Sequence, residues 1–282
     1  MREVAGVDGS DSALEAVRWA AVDAEVHGRP LRLVCAVPRV PHLAGEGFDE
    51  AERPRWLTEA VSTARAAAGG VEVEQELRHG TPGEVLLDES HEAQRLVVGG
   101  RGLNEFTGVR MALGSTAELV AMRSRCPVVV VPETAGHERV RTGTVVVGVD
   151  GSRVGEPALA AAFEEASLRG VPLVAVHVWS DVAVDWFGSR SVDWDTVKGD
   201  EERVLAERLA GWEEQYPDVE VDRVVARDRP VRFLVECGER AQLLVVGSRG
   251  RGGMTGMLIG STSRALLHHA PCPVLVVRAD LP

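Results

Sequence analysis

Lysine is almost missing from this 282-residue chain: Lys198 is the only one, and Gly199 follows it. A phosphate loop of the G-x-x-x-x-G-K-[ST] kind needs a lysine inside its glycine run, so that route to nucleotide binding is closed. Cysteine is also sparse. Cys35, Cys126, Cys237 and Cys272 lie far apart, with no C-x-x-C pair and no metal-ligand spacing. Cys126 and Cys272 each precede an aliphatic run and read as small apolar residues, not redox groups. No apolar run approaches the length of a membrane span. The opening MREVAGVDGS lacks the basic-then-apolar pattern of a secretory signal. Together these absences point to a reduced, cytoplasmic setting away from membranes. Positive charge is in deficit, with a net charge of −12 and a pI near 5.2, which excludes nucleic-acid binding through bulk electrostatics. Catalytic signatures are missing too: there is no G-x-S-x-G elbow and no H-E-x-x-H. The His268-His269 pair falls near a predicted helix end, where histidines serve free carbonyls. Glu164-Glu165 and Glu213-Glu214 read as solvated helix faces. With no base in view to activate water, hydrolysis is expected to be slow or absent.

What the chain does have is a duplication. VAGVDGS at Val4 to Ser10 returns as VVGVDGS at Val146 to Ser152, and Gly28, Pro30 and Leu31 return at Gly170, Pro172 and Leu173, all shifted by 142. RLVVGGRG at Arg95 returns as LLVVGSRG at Leu243, now shifted by 148. LGSTAELV returns as IGSTSRAL, and CPVVVV as CPVLVV. The second copy has thus gained six residues, which this reading puts in the loop after its second strand. The linker composition of 132–143 separates a first domain over 1–131 from a second over 144–282.

Strand and helix patterns alternate within each copy. In the first they predict strands at Glu3–Val7, Leu31–Val37, Val71–Arg78, Leu96–Val98 and Val128–Val131. The helices between them are predicted at Ser12–His27, Pro54–Ala68, Pro82–Ala93 and Ser115–Arg123. Short, unbroken apolar strands alternating with helices mean a parallel sheet covered on both faces. With right-handed crossovers the fold class is α/β: two tandem doubly wound domains, each with a five-stranded parallel sheet. The last strands, Val128–Val131 and Val274–Val277, are purely aliphatic edges that invite pairing, with each other or with another subunit.

The richest stretch runs from Leu243 to Arg278. The strand Leu243–Val246 breaks into a loop carrying Gly247, Gly250, Gly252, Gly253, Gly256 and Gly260, and Ser261-Thr262 then opens a helix. Glycines let main-chain N–H groups approach a ligand closely. Ser261 reads as the N-cap, and a helix start favours phosphate. Arg249 and Arg251 add fixed positive charge. The Rossmann spacing fails, because Thr255 stands where G-x-G-x-x-G needs its third glycine. In an open α/β sheet a ligand sits outside the strand carboxyl ends, which sets Asp150 opposite this loop. Asp150 reads equally as a ligand contact or as an Asx-turn or cap residue for the next helix.

The pattern Gly247-x2-Gly250-x9-Gly260-Ser261 resembles the ATP-binding signature of the universal stress protein family, with one family domain per copy. The resemblance implies an ATP-binding, non-catalytic regulator of stress response or dormancy that acts through an unknown protein partner. It implies a nucleoside contact for Asp150 and its counterpart Asp8, and adenine reading by the main chain of Val178 and Ala36. It implies phosphate contacts for Gly247, Gly250, Gly260 and Ser261, and the cofactor-binding set expected around them adds Gly148, Ser248, Arg249, Arg251, Gly252, Gly253 and Thr262. The first-copy equivalents are Gly6, Gly99, Arg101, Gly102, Gly114, Ser115 and Thr116. It further implies a homodimer or intramolecular pseudo-dimer through the last strands. The alternative is a slow ATPase or nucleotidyl transferase using the same crevice.

The first copy departs from the pattern: eleven residues separate Gly102 from Gly114 where the second copy has nine, and Asn104 and Glu105 replace glycines. A carboxylate near phosphates is repulsive, so this site is expected to bind more weakly, to need Mg²⁺ carried by the phosphates, or to stay vacant. The stretch Ser180 to Asp195, with Trp186 and Trp194, reads as a lid over the second site or as a partner surface.

Overall fold

The computed structural model describes residues 2–37, 53–102, 113–133, 143–179, 194–250 and 258–279, with Arg53 and Trp194 described by backbone alone. Arg251, Gly252, Gly253, Asn104, Glu105, Trp186 and most of the 132–143 linker lie outside the described residues. Two compact units emerge, built mainly on Met1–Gly136 and on His137–Cys272.

The first unit contains β1 (Arg2–Val7), α1 (Asp11–Val26), β2 (Leu31–Val37), α2 (Arg53–Ala67), β3 (Val73–His79), α3 (Pro82–Glu89), β4 (Ala93–Gly99), α4 (Ser115–Arg123) and β5 (Val128–Val131). Its strands lie in the order β3-β2-β1-β4-β5. All four pairings are parallel, with Glu3 opposite Leu31, Leu31 opposite Val73 and Leu96 opposite Val128. α1 packs against α2, and α3 against α4. The central strands carry unbroken aliphatic runs because both of their faces are covered. By contrast β3, VEQELRH, alternates exposed and half-buried positions, as an outer strand does. Trp19, Leu31, Leu33 and Leu96 are fully buried, each contributing about 1.5–3 kcal/mol.

The second unit repeats this with β6 (Thr144–Gly148), α5 (Glu156–Arg169), β7 (Leu173–Trp179), α6 (Trp194–Leu209), α7 (Trp212–Gln215), β8 (Val221–Arg227), α8 (Pro230–Gly238), β9 (Ala241–Gly247), α9 (Ser261–His269) and β10 (Val274–Val277). Its order, β8-β7-β6-β9-β10, is the same topology. Phe163, Leu173, Leu205, Leu243 and Leu244 form its core. Two doubly wound α/β units with five-stranded parallel sheets are therefore present. Among the described residues no helix is long and apolar enough to cross a membrane.

Four sequence expectations need correction. The six extra residues do not lie after the second strand. They lie after the second helix, where 210–220 replaces 68–72 and includes α7. This insert is held by aromatic packing: Phe163 stacks on Trp212 and Tyr216, with ring centroids 6.0 and 5.7 Å away. The third helix stops at Glu89, and Ala93 already belongs to β4. A tight turn ends it, with His91 N–H donating to the Asp88 carbonyl at 3.2 Å and Glu92 N–H to Glu89 at 3.1 Å. Glu165 is not solvated. It is buried and accepts from Arg169 Nε at 2.9 Å, one helical turn away. The fourth correction concerns the helix cap in the second glycine-rich loop and belongs to the site.

Candidate functional site

Both units build the same rim at the carboxyl ends of their first and fourth strands. In the first, the Ser10 N–H and hydroxyl donate to Asp8 Oδ1 at 3.0 and 2.6 Å. In the second, Ser152 does the same to Asp150 Oδ1 at 2.9 and 2.8 Å. The Asx-turn reading of these aspartates is thus realised. It leaves room for the other reading, because the second carboxylate oxygen lies over the glycine loop. A Cβ built on Gly102 would stand 2.7 Å from Asp8 Oδ2, and one built on Gly250 would collide with Asp150 Oδ2. Glycine permits that approach with the carboxylate left in place. Sequence reasoning set Asp150 beside the Gly250 loop, and the structure brings them into contact.

Main-chain bonds tie the described part of each loop to the helix that follows it. Gly260 N–H donates to the Ser248 carbonyl at 2.7 Å, and Gly114 N–H donates to the Gly100 carbonyl at 2.7 Å. Ser248, which is buried, is itself fixed by donating to the Val277 carbonyl at 2.7 Å. The N-cap of α9 is Gly260, not Ser261, which occupies the first helical position with Thr262 behind it. Gly114 caps α4 in the same way, ahead of Ser115 and Thr116. A glycine cap has no side chain to bond the first-turn N–H groups, and neither helix shows a side-chain cap. Such a helix start satisfies its donors from outside, and its partial positive charge favours an anion.

The remaining predicted residues divide between rim and packing. Gly6 and Gly148 make room for helix side chains: a Cβ there would lie 3.1 Å from Leu86 and 3.3 Å from Leu234. Ala36 and Val178 sit near the carboxyl ends of β2 and β7, opposite Arg78 and Ala226 on the outer strands. The half-buried Arg249 follows Ser248 in the loop, and a Cβ on Gly247 would lie 3.1 Å from its carbonyl. Ser263 hydroxyl donates to the Gly247 carbonyl at 2.7 Å. Arg101 carries its guanidinium to Glu133, 3.1 Å away.

Two features of the rim were not legible beforehand. Ser12 approaches the first loop closely: its hydroxyl accepts from Arg101 N–H at 3.2 Å, and a Cβ on Gly99 would sit 2.6 Å from its carbonyl. In the second unit, Val154 stands at that sequence position in a short 3₁₀ turn, Arg153–Gly155, and α5 starts only at Glu156. Pro157 accounts for the delay. A helix started at the position used by α1 would place Pro157 inside it, where its missing N–H and its ring oppose the preceding turn. The other feature is His177, whose ring bridges the rim to α6. No motif pointed to it.

Burial pushes the Cys126 thiol up to about 11, and it raises the Cys237 thiol as well.

A family model described as the universal stress protein family matches residues 1–132 and again 142–278. A universal stress protein of Mycobacterium tuberculosis (strain ATCC 25618 / H37Rv) is 44% identical, over 98% of this chain and 96% of its own. One from Mycolicibacterium smegmatis is 40% identical, over 97% and 95%. The crystal structure of a universal stress protein from Archaeoglobus fulgidus DSM 4304 superposes with a TM-score of 0.70 at 21% identity, covering 99% of this chain and 98% of that one. That last likeness concerns the fold.

Proposed function

Because the chain belongs to the universal stress protein family, we propose that its rims bind an adenine nucleotide, ATP in the first instance, and that the protein works as a nucleotide-dependent regulator through partner binding. The observation that carries this reading is the grouping in the second unit of the Asp150 carboxylate over Gly250, Ser248–Arg249, and the glycine-capped start of α9 bonded to Ser248. A carboxylate at one end suits ribose or adenine donors, and main-chain donors at the other suit phosphates. Mg²⁺ would arrive on the phosphates. The predicted domain boundaries and association through the last strand of each unit belong to the same proposal.

The test is Gly260→Glu. Among the described residues a Cβ on Gly260 meets only the Ser248 carbonyl oxygen at 3.6 Å and Arg249 Cα at 3.8 Å, which is ordinary contact, so folding should survive. The added carboxylate would stand where a phosphate is proposed, and calorimetry should show binding to the second unit lost. Unchanged ATP binding in a folded variant would refute the assignment. Multiple-turnover phosphate or AMP release that disappears in Asp150→Ala would instead favour a slow ATPase or nucleotidyl transferase.

A further inference from the structure

His177 is 2% exposed on β7, yet both of its ring nitrogens face acceptors. Nδ1 lies 2.6 Å from the Val149 carbonyl, and Nε2 lies 2.7 Å from Glu201 Oε2 on α6. A neutral imidazole has one donor and one acceptor, so it can satisfy one of these partners and must turn a lone pair toward the other. The imidazolium donates to both. Val149 is the residue before Asp150, and its own N–H donates to the Val176 carbonyl at 2.8 Å. The ring therefore ties the main chain that carries the rim aspartate to the helix behind it.

We propose that His177 is a positively charged clasp that positions the Val149–Asp150 rim, so that ligand binding by the second unit, and not by the first, is coupled to a proton. In the first unit Cys35 stands at the position of His177, and its thiol lacks the two ring nitrogens of an imidazole. The nucleotide part of this inference rests on the function proposed above; the clasp itself does not. Other charged groups on the elements that adjoin β7 have partners of their own. On α6, Lys198 pairs with Glu202 and Arg203 with Asp200. On α5, Glu156 accepts from Arg208 and from the Trp212 indole. On β8, Arg227 lies over the Trp179 ring, and beyond β6 Asp150 is bonded to Ser152. Glu201 is thus the carboxylate that answers His177. The sign follows from the donors. The clasp holds the protonated ring, so raising the pH removes one contact, loosens the rim and weakens binding.

Two measurements on the full chain test this. The first is nitrogen NMR of the His177 ring in ligand-free protein across about pH 5 to 9, following the amide signals of Asp150 and Ser152 together with it. Both ring nitrogens should carry protons at the acid end, and the rim amides should shift with the same midpoint as the ring. The second is calorimetric titration with ATP in wild type, Glu201→Gln and Gly260→Glu. Affinity at the second site should fall about tenfold over that range, a coupling of ordinary size. Glu201→Gln should flatten the profile with little loss of affinity, because the amide can donate to a neutral ring whose Nδ1–H still serves Val149. Gly260→Glu, which keeps only the first site, should show no such profile. A ring that stays neutral throughout, rim amides that ignore it, or an unchanged slope in Glu201→Gln would overturn the clasp. If ATP binds at no pH, the nucleotide reading fails, while the ring and amide signals still decide the clasp.

Discussion

The two units have one topology and one rim, but their loops are held differently. In the first, α1 begins at Asp11 under a proper cap, with Ala13 N–H donating to Ser10 Oγ at 3.1 Å, and this brings Ser12 against the glycine loop. The loop there bonds to its own domain. In the second, Pro157 delays α5, Val154 offers no oxygen, and His177 braces the rim from the strand side. Duplicated domains can thus keep a fold while holding its rim by different contacts. The sheet depends on patterning and tolerates much variation, whereas the rim depends on individual atoms.

The largest expected effect lies in the cores. The first unit buries Arg95 against Asp23, and the second has Leu243 where Arg95 stands. Arg95→Leu copies the second unit but removes the ion pair to the buried Asp23 carboxylate, and should lower unfolding stability by about 3–5 kcal/mol in denaturant titrations. A loss under about 1 kcal/mol would mean that the two units solve this position alike. Next comes the aromatic insert, which the first unit lacks. Trp212→Ala removes its stacking on Phe163 and its indole bond to Glu156, and should cost about 2 kcal/mol, read as earlier melting of the second unit.

A smaller effect tests the loops directly. Ser12→Val withdraws the oxygen that holds Arg101 N–H and gives the first unit the second's residue. ATP binding at the first site, isolated in a Gly260→Glu background, should tighten about three- to tenfold, the worth of one hydrogen bond. Weaker binding would show that Ser12 shapes the site and does not compete for it. The smallest effect concerns capping. Thr81 forms a capping box with Glu84 at the start of α3, whereas Arg229 at the equivalent place before α8 makes no side-chain cap. Thr81→Ala should cost about 1 kcal/mol and Arg229→Thr should return a similar amount, both measured by thermal unfolding.

The repeat of V-G-V-D-G-S, the short aliphatic runs and the glycine-rich loops were enough to settle by sequence the duplicated five-stranded sheets, the helix Ser115–Arg123 and both last strands to the residue. Periodicity and glycine spacing are local properties, and local properties are what a linear chain displays. The aspartate and the glycine loop could be brought together from sequence because parallel topology carries the ends of strands one and four to the same rim. Other features needed tertiary contacts. Glu165 beside Glu164 looks like a solvated pair until the helix is rotated against its sheet. The six added residues could be counted but not located, because Phe163, which holds them, is some fifty residues away in the chain. The double acceptor environment of His177 arises from Val149 and Glu201, on two other elements. Which side chain meets which across such distances is decided by packing density and hydrogen-bond geometry, and neither is written in the order of residues.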